Sequence, residues 1–160
     1  MPLKVFRFVA VMLAALSFSV AVGHLMQLPA RMGWDQYLWV GSTVQGGFFR
    51  LSGPLGALLQ AVALIGLLVL ASLERRHRTV GFALTAMAAS LYAVGLVLWW
   101  ILVYPANVEL ATWVNGPVPD NWTVWRASWE WGQAANGVAQ LLGFAALVAS
   151  LLAASGRERN

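Results

Sequence analysis

The sequence contains no cysteine and only two histidines among its 160 residues. The absence of cysteine excludes disulfide bonds and thiolate metal sites. For the same reason, cysteine usage gives no information about the redox compartment of the protein. His24 is the only histidine in the tryptophan-rich half, where it joins Met26, Glu109 and Glu130 in an incomplete metal-ligand set. We therefore predict no cofactor, because neither a metal nor a haem is favoured by these residues.

Charge is also scarce, since charged residues make up 10% of the chain and hydrophobic residues 60%. Ordinary soluble domains contain about 25% charged residues and about 45–50% hydrophobic residues. This composition therefore excludes a soluble protein. Four apolar runs reach the length of about 20 residues that a membrane crossing requires. We predict an all-α fold, in which residues 1–160 form a single integral membrane domain. The four predicted transmembrane helices cover about residues 5–28, 54–73, 80–104 and 129–154, joined by tryptophan-rich outer loops.

Several common functional motifs are missing. The sequence has no phosphate-binding loop, no serine–base–acid arrangement and no haem-type histidine pair. The formal charge of +4 does not imply a nucleic-acid partner, because basic residues also cluster at the ends of membrane helices. The expected surroundings are the lipid bilayer and other membrane components, with a homo-oligomer or a larger membrane complex left open.

Basic residues predict the orientation of the bundle. Seven lie at one end, namely Lys4, Arg7, Arg75, Arg76, Arg78, Arg157 and Arg159, and only Arg31, Arg50 and Arg126 lie at the other. Because lysine and arginine are retained on the cytoplasmic side, we expect both termini in the cytoplasm, in a bacterial inner membrane. The first apolar run also has the composition of a cleavable signal peptide, and both interpretations stay open.

Prolines and one glycine-rich stretch mark the expected ends of the helices. Residues 29–52 are predicted to form an outer connection with an interfacial half-helix. Pro54 suits the first turn of the second helix, and Pro105 is expected to stop the third. The fourth helix is predicted to start between Arg126 and Gly132.

Tryptophan is unevenly distributed along the chain. All nine tryptophans map to the outer half, namely Trp34, Trp39, Trp99, Trp100, Trp113, Trp122, Trp125, Trp129 and Trp131. Aromatic belts normally occur at both membrane interfaces. The asymmetry indicates a specialised outer surface.

Four polar residues near this surface are candidates for catalysis. His24 could act as a general base, since histidine exchanges protons near neutral pH, or it could be a hydrogen-bonded packing residue. Arg126 and Glu130 are four residues apart, which suits either a local ion pair or a clamp on an anionic or enolic substrate. Asn107 could hold a substrate oxygen or join two helices.

Seven further residues are candidates for substrate binding. Thr85, Tyr92 and Trp99 recur at seven-residue intervals, which turns one face of the third helix toward its partners. Gln133 and Asn136 belong to the polar stripe of the fourth helix, together with Gln140. The remaining candidates are Trp113, Trp125 and Trp129, which would either form a headgroup belt or stack on a flat ring.

Short motifs along nearly the whole chain resemble one family of membrane proteins. They are Gly23–His24 at the end of the first helix, Pro105-x-Asn107 after the third, then Trp113 and Arg126-x-x-Trp129-Glu130. This pattern resembles the anthrone oxygenase-like family of small four-helix membrane proteins. The resemblance implies a cofactor-independent reaction of O₂ with a flat phenolic substrate, with His24 as base and Asn107 and Arg126 as donors.

The chain departs from that family at two positions. The helix after the Trp-Glu pair commonly carries a histidine and then an arginine there, whereas this sequence has Gln133 and Asn136. Two functions therefore stay open. The first is binding, and beyond that oxygenation, of a small aromatic or quinone-like molecule in an outward-facing pocket. The alternative is a non-catalytic accessory subunit of a larger membrane complex, in which the polar groups would pair with one another and enclose no cavity.

Overall fold

The computed structural model describes residues 2–45, 48–77 and 79–155. Within these ranges every element is helical: α1 (Pro2–Met32), α2 (Gln36–Val40), α3 (Phe48–Glu74), α4 (Val80–Leu98), α5 (Tyr104–Thr112) and α6 (Trp122–Ser155). Arg78, Arg157 and Arg159, on which the predicted orientation partly rests, lie outside the described residues.

Four helical stretches are long and apolar enough to cross a membrane. They are Leu3–Met32, Gly53–Glu74, Val80–Thr112 and Trp122–Ala154. Their outward faces are rich in exposed valine, leucine and isoleucine, as expected of surfaces that contact lipid. The prediction of an all-α bundle with four candidate membrane spans is confirmed.

The third span does not stop at Pro105, so that prediction was wrong. A π-helical turn, Trp99–Val103, connects α4 directly to α5, and the N–H of Tyr104 donates to the carbonyl of Trp99. Pro105 then occupies the first turn of α5. The missing N–H of this proline therefore falls directly after the π-helical turn, where the hydrogen-bonding register of the helix has already changed.

Two other helix boundaries differ from expectation. The last helix begins at Trp122, before the predicted window, because the N–H of Trp122 closes a turn onto the Pro119 carbonyl at 3.1 Å. The second membrane helix begins at Phe48, which places Pro54 inside α3 instead of in its first turn. Membrane helices tolerate an internal proline when neighbouring groups satisfy the freed carbonyl.

Hydrogen bonds show which helix ends lie together. The Arg7 guanidinium pairs with the Glu74 carboxylate at 2.9 Å, and the Thr85 hydroxyl donates to the same carboxylate at 2.8 Å. The start of α1, the end of α3 and the start of α4 therefore share one end of the bundle, here named the basic end. The opposite end is named the tryptophan-rich end.

The interior has a different composition at each end. Toward the basic end, the buried core consists mainly of small residues and leucines, namely Ala10, Ala14, Ala63, Leu67, Leu70, Ala88, Ala89, Tyr92, Ala146 and Leu147. Small residues let membrane helices approach closely. The other end holds the tryptophan cluster, namely Trp39, Val40, Val44, Trp99, Val103, Ala106, Leu110, Trp113 and Trp129.

Candidate functional site

A small cavity lies between the helices just inside the tryptophan cluster. Its lining comes from α1, α3, α6 and the π-helical turn, and consists of Ser17, Val20, Ala21, His24, Gly53, Gly56, Gln60, Trp99, Gln133, Asn136 and Gln140. The cavity volume is about 20 Å³, enough for about one water molecule. Six of the lining side chains are polar, so the polar faces of the first and fourth membrane helices meet here.

A hydrogen-bond network holds four of these polar side chains. The Asn136 carbonyl oxygen accepts from Gln60 Nε2 at 3.0 Å and from Gln140 Nε2 at 3.2 Å. Gln60 Nε2 also donates to the backbone carbonyl of Tyr92 at 3.1 Å, and the Ser17 hydroxyl donates to Gln140 Oε1 at 2.7 Å. The network therefore joins all four membrane helices.

Gly95 on α4 makes room for this network. A Cβ at that position would lie 2.7 Å from Asn136 Oδ1 and 2.9 Å from Gln60 Nε2, closer than real Cβ contacts come. Any other residue at this position would force these two amides to shift away from the α4 backbone.

His24 and Gln133 are the two polar lining residues outside this network. Among the side chains that the structure describes, none is hydrogen-bonded to the His24 ring or to the Gln133 amide. The His24 ring packs edge-on against Trp129, with ring centres 5.2 Å apart. These two side chains can therefore hydrogen-bond a molecule in the cavity without first breaking another bond between described side chains.

Glu130 lies in a separate buried cluster at the tryptophan-rich end. Its Oε1 accepts from Arg31 Nε and from Trp39 Nε1, both at 2.7 Å, and Arg31 also donates to the Thr43 hydroxyl. Glu130 is 1% exposed and Arg31 8%. Within the described part of the chain, Glu130 Oε2 has no hydrogen-bond partner. This is a buried ion pair, in which each charge depends on the other.

Arg126 does not pair with Glu130, so the spacing of four residues does not produce a local ion pair. Its guanidinium donates to the backbone carbonyl of Trp34 at 2.6 Å and lies 4.7 Å from the ring centre of Trp122. Arg126 therefore ties the start of α6 to the segment after α1, outside the cavity.

None of the other predicted residues lines the cavity. Asn107 Oδ1 accepts from the Trp129 indole at 2.8 Å, and Trp129 in turn packs edge-on against His24. The Trp113 indole donates to Glu109 at 3.2 Å, and Trp125 packs on the outside of the tryptophan cluster. Tyr92 lies deeper, with its hydroxyl bonded to the Ala14 carbonyl at 2.8 Å.

Of the eleven predicted site residues, the cavity brings together His24, Trp99, Gln133 and Asn136. Arg31, Trp39 and Thr43 were not among the predicted site residues, although they surround Glu130. One signal for Arg31 was present, since it follows Ser17 and His24 at intervals of seven residues. No comparable pattern marked Trp39 or Thr43.

Neither the cavity nor the charged cluster has the composition of a metal site. No group of three or more histidine, aspartate or glutamate side chains is placed to hold a metal ion within residues 2–45, 48–77 and 79–155.

Comparisons with protein-family models, with curated proteins and with solved structures found no match for this chain.

Proposed function

We propose that this membrane protein binds a small, neutral aromatic or quinone-like molecule in the cavity between its helices. The observation that supports the proposal is the convergence of six polar side chains and Trp99 on one small space between the helices. Polar side chains inside a membrane bundle are costly and mark functional sites by default. We place the tryptophan-rich end on the outer side of a bacterial inner membrane, as the basic residues predict.

The proposed ligand enters by separating α1 from α3. Pockets for small molecules usually measure about 300–1,000 Å³, far more than the cavity of about 20 Å³. The α1–α3 side of the lining contains Gly53, Gly56 and Val20, and Val20 is also 36% exposed on the outer surface of the bundle. Moving this side chain would open the cavity directly to the bilayer, where an apolar ligand is most concentrated.

The chemistry of the lining matches a flat molecule with oxygen atoms. His24 and Gln133 would bond a carbonyl or hydroxyl group, while the Trp99 ring would provide an apolar wall. Of the six polar side chains in the lining, only His24 and Gln133 lie outside the amide network, and these two would fix the orientation of the ligand. This arrangement favours binding over a purely structural role for these residues.

A binding measurement with two glycine variants tests the proposal. Purified protein in detergent micelles is titrated with menadione or anthrone, and binding is followed by quenching of tryptophan fluorescence. Gly56→Leu should weaken binding at least tenfold, because the new side chain fills the cavity. Gly23→Leu is the control on another membrane helix: a Cβ at Gly23 meets nothing within 4 Å, whereas one at Gly56 meets Val20 Cγ1 at 3.7 Å, and Gly23 does not line the cavity.

The titration also distinguishes the alternative function. Saturable quenching that Gly56→Leu removes and Gly23→Leu retains would support a binding protein. If neither probe gives saturable quenching with the unmodified protein, the paired amides serve helix packing, and an accessory subunit becomes the better interpretation.

A second candidate function is oxygenation of the bound molecule, as the resemblance to the anthrone oxygenase-like family implies. The observation that favours it is His24, whose ring lines the cavity and has no hydrogen bond to a described side chain. His24 would take a proton from the activated ring carbon of an anthrone. The resulting carbanion would transfer one electron to O₂, the carbon radical and superoxide would join through a new C–O bond, and the proton held by His24 would complete the hydroperoxide. Loss of one water from the hydroperoxide then gives the quinone, so one O₂ yields one quinone and one water.

In the resting structure Asn107 uses its Oδ1 to accept from the Trp129 indole, and Arg126 Nη1 donates to the backbone carbonyl of Trp34. Among the described residues, Arg126 Nε has no hydrogen-bond partner. Gln133 lines the cavity outside the amide network and is therefore a further donor for the developing enolate. His24→Ala should abolish quinone formation, measured by absorbance, while retaining anthrone binding within about tenfold. Equal quinone formation by the variant and the unmodified protein would rule out this reaction at His24.

A further inference from the structure

An open groove runs along the surface between α3 and α4, on the basic half of the bundle. Its lining is mostly small or apolar, namely Leu64, Leu68, Ala71, Ser72, Arg75, Phe82, Ala86, Ala89, Ser90 and Ala93, and its volume is about 420 Å³. Small residues normally let two membrane helices pack closely. Here they face each other across a groove that falls in the usual size range of ligand sites, about 300–1,000 Å³.

The length of the groove corresponds to one leaflet of a bilayer. On one side it extends from Arg75, directly after the end of α3, back to Leu64, and on α4 from Phe82 to Ala93. Eleven residues of helix at 1.5 Å each give about 16 Å, about half of the 30 Å hydrocarbon thickness. The groove therefore reaches from the membrane surface to the middle of the bilayer, as one acyl chain does.

Two arginines lie at the surface end of the groove. A second depression, lined by Arg75, Arg76, Thr79, Phe82 and Ala83, has a volume of about 570 Å³ and shares Arg75 and Phe82 with the groove. Both arginines are exposed, and neither forms an ion pair with any residue that the structure describes. The positive end of the groove is thus free to receive an anion at headgroup depth.

We propose that the α3–α4 groove binds an anionic phospholipid, with one acyl chain along the groove and the phosphate against Arg75 and Arg76. Basic pockets at the ends of membrane helices are typical sites for anionic headgroups. A zwitterionic lipid would fit the same groove but lacks the net charge that the two arginines complement. The site is separate from the cavity and independent of the proposed ligand there.

Native mass spectrometry of the full-length protein in detergent tests the charge requirement. Phosphatidylglycerol should bind more tightly than phosphatidylcholine with the same acyl chains. Arg75→Gln should weaken phosphatidylglycerol binding about fivefold, the contribution of one basic residue near an anionic surface. Arg50→Gln is the matched control, because this exposed arginine lies near the other end of the same helix.

A second pair of variants tests the acyl-chain requirement. Ala86→Phe fills the groove and should displace phosphatidylglycerol at least tenfold, although both arginines remain. Val94→Phe adds a similar side chain to the exposed surface of α4 outside the groove and should have no effect. If Ala86→Phe does not fold, as judged by circular dichroism, Ser90→Phe replaces it, since Ser90 is an exposed position in the same groove.

Three results would overturn the proposal. The first is equal binding of the two lipids, and the second is an equal loss in Arg75→Gln and Arg50→Gln. The third is a pair of results: glycerol phosphate displaces phosphatidylglycerol completely, and Ala86→Phe binds the lipid as the unmodified protein does. Together they would show that the arginines bind phosphate without an acyl chain.

Discussion

Replacing Glu130 with glutamine should destabilise the protein by about 3–5 kcal/mol, the usual cost of removing one partner of a buried ion pair. The change is small in volume, and the new amide can still accept from the Trp39 indole. Its main effect is on Arg31, which is 8% exposed and loses the carboxylate that lies 2.7 Å from its Nε. The cost therefore measures an uncompensated buried cation.

Replacing Arg31 with methionine should cost a similar amount for the opposite reason, because Glu130 is then a buried anion without its cation. It also removes the contacts of the guanidinium with Trp34 and Trp129, whose ring centres lie 5.1 and 5.4 Å away. Each such contact contributes about 0.5–1 kcal/mol or more when it is desolvated. Arg31→Met should thus be at least as destabilising as Glu130→Gln.

The double variant provides the decisive comparison. With both charges gone, neither is stranded, so Arg31→Met/Glu130→Gln should be more stable than the sum of the two single costs predicts, by at least about 2 kcal/mol. Unfolding is measured in mixed micelles as the fraction of denaturing detergent is raised, with tryptophan fluorescence and circular dichroism as signals. Arg50→Gln, an exposed arginine, should change stability by at most about 0.5 kcal/mol.

Additive losses of stability in the two single variants would refute the assignment of a buried ion pair. If both single variants lose less than about 1 kcal/mol and the double variant loses their sum, the two side chains do not form a buried pair. The packing of the last turn of α1 against α6 would then be wrong, because Arg31 and Glu130 meet only through that packing.

Two further substitutions test the packing below the cluster by the same unfolding measurement. Gly95→Ala should destabilise the protein by about 1–3 kcal/mol, because its Cβ would lie 2.7 Å from Asn136 Oδ1. Gly23→Ala is the control, since its Cβ meets nothing within 4 Å. Equal losses of stability in the two variants would contradict the close approach at Gly95. Tyr92→Phe should cost about 0.5–1.5 kcal/mol through loss of the 2.8 Å bond to the Ala14 carbonyl, and an unchanged stability would argue against that bond.

The membrane spans were predictable because a long apolar run is a strong signal that depends only on residues adjacent in sequence. An apolar run of sufficient length has no stable alternative to a helix in lipid, so the count of spans follows from composition. The seven-residue stripe on the third span was equally informative. Thr85, Tyr92 and Trp99 are all buried, at 0%, 0% and 8% exposure, because a straight helix carries residues seven apart to nearly the same face.

Contacts between distant parts of the chain were not predictable in the same way. The spacing of four residues suggested Arg126 as the partner of Glu130, but the actual partner is Arg31, 99 residues away in sequence. Arg31 lies in the last turn of α1, so the pairing depends on how that helix packs against α6. Trp39, the other donor to Glu130, is fully buried where the connection after α1 folds back and Asp35 caps a helix of five residues. The spacing of residues along one helix determines neither contact.

The π-helical turn was missed for a related reason. Proline disfavours a helix through a lost hydrogen bond and a clash with a preceding carbonyl, and both arguments assume regular α-helical geometry. The wider turn at Trp99–Val103 changes the hydrogen-bonding register before Pro105 is reached. It also places Trp99 in the cavity wall. The irregularity and the candidate site thus coincide, as is common for π-helical turns.

The charge distribution around the cavity limits what it could bind. Its lining contains serine, histidine, glutamine and asparagine but no arginine, lysine, aspartate or glutamate, and the nearby charges of Arg31 and Glu130 already neutralise each other. An ion entering from the bilayer would lose its solvation and find no opposite charge to offset that loss. A neutral molecule would instead exchange hydrogen bonds with His24 and Gln133 while the amide network stays intact. The ligand is therefore expected to be an uncharged carbonyl or hydroxyl compound, and an ionised analogue of the same size should bind far more weakly.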